Sequence, residues 1–453
     1  MLHAPLLAAA LLAQEPASLL PELPNGWRTE RLAFPLSFAP DLEHAGFEDL
    51  AFAPGMFEPA SDSYFSYVLA LRLEGDLEVD RGFVQGFLEK YYRGLCAAVG
   101  EGKGFDLSGF AVAVEDRGAG FAARVDMVDA FVTGEPLALE LELAVQPGPR
   151  ATEIFGLASP KPRDAPVWRA LDEMHERWRA ARPVALTLNH LYAVPDEATY
   201  AALAGSEFLR SELAASEERE TVRKDISYSG VYFYGEHTYF EFLSPKEAGS
   251  LVAGNTGIAF GIEVPGGTER LAAALREKGV DTFAGPVTRE LDGEALAWFR
   301  ILGVQQAHAA ATLQLFAMEY APTFLDEWHA DLPPAARGIA RRYVLERYAA
   351  KIGKPREEPL LRNVRVVRLA LREDEREQLF EVCRAGGWIV ERDGDAWVCD
   401  GPGVDLVVRS SAEPGGVTGF EMELRRPVER EPLQLGKATL SFAGTTATLS
   451  FAR

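Results

Sequence analysis

Cysteine is scarce in this 453-residue chain. Only Cys96, Cys383 and Cys399 are present, with no CxxC and no metal-type spacing. A thiolate zinc centre is therefore not expected. These residues are read either as one disulfide, between Cys383 late in a predicted helix and Cys399 on a predicted strand beneath it, or as buried free thiols. Positive charge is also short, with 46 Lys and Arg against 68 Asp and Glu and a formal net charge of −22. Nucleic acid and anionic membrane surfaces are recognised through basic patches, so neither is an expected partner. No apolar run reaches the roughly 18 residues of a membrane-spanning helix. The GxSxG, P-loop and HExxH patterns are missing too, and with them the sequence signatures of three large enzyme groups.

What is present describes a folded, multidomain chain. Hydrophobic residues make up 47% and charged residues 25%, and the length suggests about three units. Residues 4–13 (APLLAAALLA), followed by Gln14-Glu15-Pro16, resemble a secretory signal cleaved near Ala13, although no Lys or Arg precedes them. That reading implies a periplasmic or extracellular protein. The alternative is an amphipathic start to a cytoplasmic one.

Residues 25–182 are expected to form an antiparallel α+β domain. Strand patterns fall at 31–38, 64–73, 110–116, 120–131 and 137–145, and apolar residues at helical spacing fall at 80–99 and 165–181. The aromatic group Tyr64, Phe65, Tyr67, Tyr91 and Tyr92 is read as core. Arg182-Pro183 marks a boundary, because the residue before proline is pushed out of helix.

From 183 to 330 one order of elements occurs twice. A strand at 185–194 leads into a helix at 196–213 that Asp196 can cap. A charged stretch at 217–225 follows, then strands at 228–234 and 238–243. The order restarts with a strand at 257–264, a helix at 268–278 that stops at Gly279, and strands at 286–291, 297–302 and 313–320. Residues 331–359 read as a helical connector, with an arginine-rich helix at 335–351 (Arg337, Arg341, Arg342, Arg347) and a linker at 354–359. Residues 360–453 repeat the order a third time in degenerate form, and a final hairpin at 438–442 and 447–451 closes the sheet.

Side chains alternate across a strand. Tyr239 and Glu241 therefore oppose Phe240 and Phe242, and Glu319 opposes Phe316, Met318 and Tyr320. His190 is placed on a face with Leu188 and Tyr192. The bulky apolar sets are assigned to the helix-covered side, which leaves His190, Glu241 and Glu319 at equivalent positions on the other. On these residues and the segments LNHLYAVPDEATYAAL and YFYGEHTYFEF, residues 185–325 resemble the vicinal oxygen chelate superfamily, the glyoxalase and bleomycin-resistance group. Within it they resemble an uncharacterised bacterial glyoxalase-like family.

The resemblance implies paired βαβββ modules forming a cup-shaped site, with metal ligands from the first and last strands of each module. Carried over, it gives His190, Glu241 and Glu319 as ligands of iron, manganese, zinc or nickel. The fourth position falls near Phe260, which binds no metal. The same three residues read equally as a hydrogen-bonded polar cluster facing water. His237, Tyr192, Tyr232, Tyr234 and Tyr239 are the expected substrate-binding residues, since tyrosines supply both stacking area and hydroxyls. Two functions follow. One is a glyoxalase-like enzyme, with lyase, isomerase or dioxygenase chemistry, acting on a small oxygen-rich or aromatic molecule. The other is a non-catalytic exported protein that binds such a molecule.

Overall fold

The computed structural model describes residues 16–222, 227–247, 251–291, 294–306, 308, 310–332, 338–351, 358–413 and 415–452. The leader-like residues 1–13, Arg337 and most of the 354–359 linker lie outside them.

The N-terminal unit is a seven-stranded antiparallel sheet of β1 (Arg28–Ala33), β2 (Gly46–Phe52), β3 (Tyr67–Glu74), β4 (Ala111–Arg117), β5 (Gly120–Val128), β6 (Pro136–Pro147) and β7 (Ala151–Ser159), in the order β1-β2-β3-β7-β6-β5-β4. Helix α1 (Arg81–Val99) covers one face and α2 (Pro166–Ala180) the other. Strands β2 and β7 have no clear period-two pattern in the sequence because the two helices bury both of their faces. The tyrosine group is core: Tyr67, Tyr91 and Tyr92 are buried. The Tyr91 hydroxyl donates to Glu48 at 2.9 Å, and burial pushes the Glu48 carboxyl up to about 8.

Two βαβββ modules follow. The first is β8 (Leu186–Ala193), α3 (Glu197–Ala204), β9 (Ala215–Val222), β10 (Ser227–Tyr234) and β11 (Tyr239–Leu243). The second is β12 (Thr256–Ile262), α4 (Gly267–Glu277), β13 (Thr282–Leu291), β14 (Glu294–Val304) and β15 (Leu313–Tyr320). They share one eight-stranded sheet, β13-β14-β15-β12-β8-β11-β10-β9, with β8 and β12 antiparallel at its centre. The helix expected over 196–213 stops at Gly205 and resumes as a single π-turn, Leu209–Leu213. The described part of the charged stretch, 217–222, belongs to the edge strand β9, where the exposed Glu218 and Glu220 discourage pairing with another chain, while 223–225 lie outside the described residues.

After the connecting helices α5 (Pro322–Trp328) and α6 (Arg341–Lys351), the second eight-stranded sheet begins. It takes β16 (Leu361–Leu371), α7 (Glu373–Ala385), β17 (Ile389–Asp393), β18 (Ala396–Gly401) and β19 (Val404–Ser410), then β20 (Gly416–Leu424), β21 (Leu433–Leu435), β22 (Ala438–Ala443) and β23 (Thr446–Phe451). Its order, β17-β18-β19-β16-β20-β23-β22-β21, repeats that of the first sheet. The residues expected to close the third module thus form a fourth repeat whose helix is missing between β20 and β21. Helices α3, α4 and α7 share one apolar core with both sheets. Phe240 and Phe242 of the first module meet Phe420 and Phe451 of the fourth directly, with ring centroids 4.8 and 6.1 Å apart.

Candidate functional site

The cup face of the first eight-stranded sheet is the one turned away from α3 and α4. Its central residue is His190, and a local irregularity puts it there. The β8–β12 register shifts between Ala259, opposite His190, and Phe260, opposite Leu188, so Asn189 is an extra, bulged residue. Leu188 consequently faces the helices, and His190 faces the cup with Tyr192. The expected common face for Leu188 and His190 is corrected by this bulge.

Parallel pairing of β8 with β11 sets Tyr239 beside His190 and Glu241 beside Tyr192. The imidazole stacks on Tyr239 at 4.3 Å, and its Nε2 lies 3.3 Å from a Glu241 carboxylate oxygen. Burial, reinforced by the Arg219 charge, pushes the His190 ring down to about 3, so it is neutral at pH 7. A neutral ring has one N–H. It can be donated from Nδ1 to the Asn189 amide oxygen, 3.0 Å away, or from Nε2 to Glu241, according to the tautomer.

Tyr192, Tyr232, Tyr234 and Tyr239 all lie on the cup face and are buried. Burial holds each phenol above its ordinary range, so all four are neutral donors. The Tyr192 hydroxyl donates to Gln314 at 2.7 Å. Its ring lies against Gly257 of β12, where a Cβ would come within 1.9 Å of it.

Glu319 is not in the cup. It shares the helix-facing side of β15 with Leu313, Leu315 and Ala317, and its carboxylate accepts from Gly266 N (2.7 Å), Thr268 N (2.9 Å) and Thr268 Oγ1 (2.7 Å) at the start of α4. The alternation is as expected, but the covered and open faces are exchanged, because both faces of β15 carry apolar side chains. Phe316, Met318 and Tyr320 are the cup-facing residues. Phe260 also points into the helix-side core, and β12 offers the cup Gly257, Ala259 and Gly261. Strands β12 and β15 of the second module thus give the cup neither imidazole nor carboxylate. A resident metal would have His190 and Glu241 alone, and no group of three or more His, Cys, Asp or Glu able to hold an ion occurs among the described residues. The implied metal does not fit this donor set.

The cup is also filled from within. Helix α5 and helix α6, the latter within the expected 331–359 connector, pack into it. Tyr348 stacks on Tyr234 at 5.0 Å with ring planes 7° apart, Trp328 packs on Tyr348 at 4.6 Å, and Val344 and Leu345 are fully buried. Trp328 Nε1 donates to Val344 O, Arg289 bonds the Tyr348 hydroxyl, and the Tyr343 hydroxyl donates to Asp116 of the N-terminal unit. Of the arginine run, Arg341 reaches inward to donate to Leu188 O at 2.6 Å.

A cavity of about 280 Å³ lies elsewhere, at the junction of the N-terminal unit and both eight-stranded sheets. His237 belongs here rather than in the cup, 3.3 Å from Glu78 and with its backbone N–H on Asn363. Cross-element ion pairs line the walls: Arg362–Glu78 (2.9 Å), Arg365–Asp76 (3.2 Å) and Arg341–Glu263 (3.5 Å). Sequence reasoning missed the β16 arginines because Arg362, Arg365 and Arg368 recur every third residue, which fits no flat strand. Register shifts along β16 turn all three to Glu421 and Glu423 of β20. An arginine at every third position of a predicted strand was the available signal for such bulges.

A search of curated proteins finds no matching sequence. Solved structures that match part of the chain include a hypothetical protein from Staphylococcus aureus (9% identity, covering 50% of this chain and 86% of that one, TM-score 0.32). Others are a Mn(II)-bound glyoxalase from Novosphingobium aromaticivorans (10%, 52% and 64%, 0.27) and a mutant 4-hydroxymandelate synthase from Streptomyces coelicolor (14%, 52% and 69%, 0.28). At these scores no activity is transferred. One family model, described as a family of unknown function (DUF5829), matches residues 188–451, a span covering all but the first residues of the four repeats and more than half of the chain, and the protein belongs to that family.

Proposed function

We propose that this protein is a non-catalytic small-molecule binder on a glyoxalase-like scaffold, and that its ligand enters the junction cleft rather than the cup. The observation that carries this reading is the occupation of the cup by Trp328, Val344, Leu345 and Tyr348 of the protein's own connecting helices. The metalloenzyme reading keeps only the His190–Glu241 pair in its favour.

The cleft suits a small zwitterion. Its arginines and carboxylates already face one another as pairs, and a ligand carrying both signs can exchange with such pairs without leaving either partner uncompensated. Leu77, Val79, Phe121 and Val264 give its body apolar wall. Export is part of the same proposal, tested by where the full chain accumulates with and without residues 1–13.

Thermal-shift and calorimetric titration of the full chain with free amino acids, and with their uncharged N-acetyl amides as controls, test the site. Amino acids should bind, the amides should not, and Arg365→Ala with Glu78→Gln should weaken binding at least tenfold. Elemental analysis after supplementation with iron, manganese, zinc and nickel should find no stoichiometric metal. Metal bound one to one and lost in His190→Ala and Glu241→Ala would overturn the reading in favour of the enzyme.

A further inference from the structure

Helix α7 lies across β17 and β18, and one aromatic contact fixes how it sits. Phe380 and Cys383 share a helix face three residues apart, and Trp397 and Cys399 share a strand face two residues apart. The Phe380 ring packs on Trp397 with centroids 5.2 Å apart. One step along, Cys383 of the helix and Cys399 of the strand are both fully buried in the same apolar core. The chain then turns back at Gly386-Gly387, with Trp388 N donating to Cys383 O at 2.9 Å, and enters β17, whose Val390 pairs with Cys399. Local backbone hydrogen bonds therefore hold both cysteines in register. Cys96 is set apart in the core of the N-terminal unit, donating to Val128 O.

We propose that Cys383 and Cys399 close a disulfide that staples α7 to β18 when the chain folds in an oxidising compartment. The oxidant is a small or protein disulfide. One cysteine thiolate attacks it, forming a mixed disulfide and releasing a thiol. The second thiolate attacks the first cysteine's sulfur and releases the other thiol. Two protein S–H bonds are replaced by one S–S bond, and the two electrons and two protons reduce the oxidant to two thiols. Both residues are 0% exposed in the folded chain, so exchange takes place before α7 docks. If α7 docks before the bond has formed, burial keeps the Cys383 thiol protonated and unreactive.

The test is refolding of the full chain in a buffer of reduced and oxidised glutathione, followed by denaturation in iodoacetamide and peptide mapping without reductant. The expected result is alkylation of Cys96 alone and one linked peptide pair joining Cys383 to Cys399. Reduction should expose three alkylatable thiols and lower Tm by on the order of 5 °C. Cys96→Ser should keep the linked pair. Cys399→Ala, folded by circular dichroism, should leave Cys383 open to alkylation. Three alkylated cysteines with no linked peptide, or a link that includes Cys96, would sink the proposal.

Discussion

The two eight-stranded sheets have the same strand order and different cup faces. In the first sheet that face carries His190, Tyr192, Tyr232, Tyr234 and Tyr239 and is packed under α5 and α6. In the second, the corresponding face carries Arg368 and Glu421, paired at 2.6 Å with side chains 41% and 30% exposed. One topology has thus been used once to enclose an aromatic layer and once to present a half-solvated polar surface. Strand order sets where a cup lies, and the side chains alone decide whether it is a core or a surface.

The largest difference should appear in acid. The folded His190 ring is depressed from 6.5 to about 3, so on acidification the unfolded chain takes up its proton first. The stability that the neutral ring confers is complete above about pH 6.5 and is lost as pH falls toward 3, by about 4 to 5 kcal/mol in total. His190→Gln should flatten that slope in urea unfolding at stepped pH, and an unchanged slope would mean that the ring is not buried neutral. Trp328→Ala empties the cup of its plug and should cost about 3 to 5 kcal/mol, read from the same unfolding curves. A loss below about 1 kcal/mol would make the first cup as open as the second.

Glu319→Ala removes the carboxylate at the start of α4 and should cost about 1 to 2 kcal/mol. It should leave the near-ultraviolet signal of the cup tyrosines unchanged; a changed tyrosine signal would return Glu319 to the cup. Smallest is Arg368→Ala on the second sheet, with less than about 1 kcal/mol expected for a half-exposed pair. A larger loss would show that this face, too, is a packed one.

How far the sequence could be read depended on whether the signal was local. The opposition of Tyr239 and Glu241 to Phe240 and Phe242 followed from alternation alone. His190 was harder, because one bulged residue, Asn189, reverses the parity of everything before it. Glu319 failed differently: Leu315 and Ala317 on one side and Phe316 and Met318 on the other gave no reason to prefer either as the covered face. Strands β2 and β7 left no alternation to find, being buried on both sides.

By itself the sequence determined the repeated strand–helix–strand order, the helix stop at Gly279, and the residues that share a face along unbulged strands such as β11 and β15, since each depends on neighbours a few positions away. Only the tertiary structure decided that α5 and α6 fill the cup, that His237 faces Glu78 across the junction cleft, and that Arg362 and Arg365 join it. Those outcomes depend on contacts between segments far apart in the chain, and periodicity carries no information about which distant segment will cover a given face.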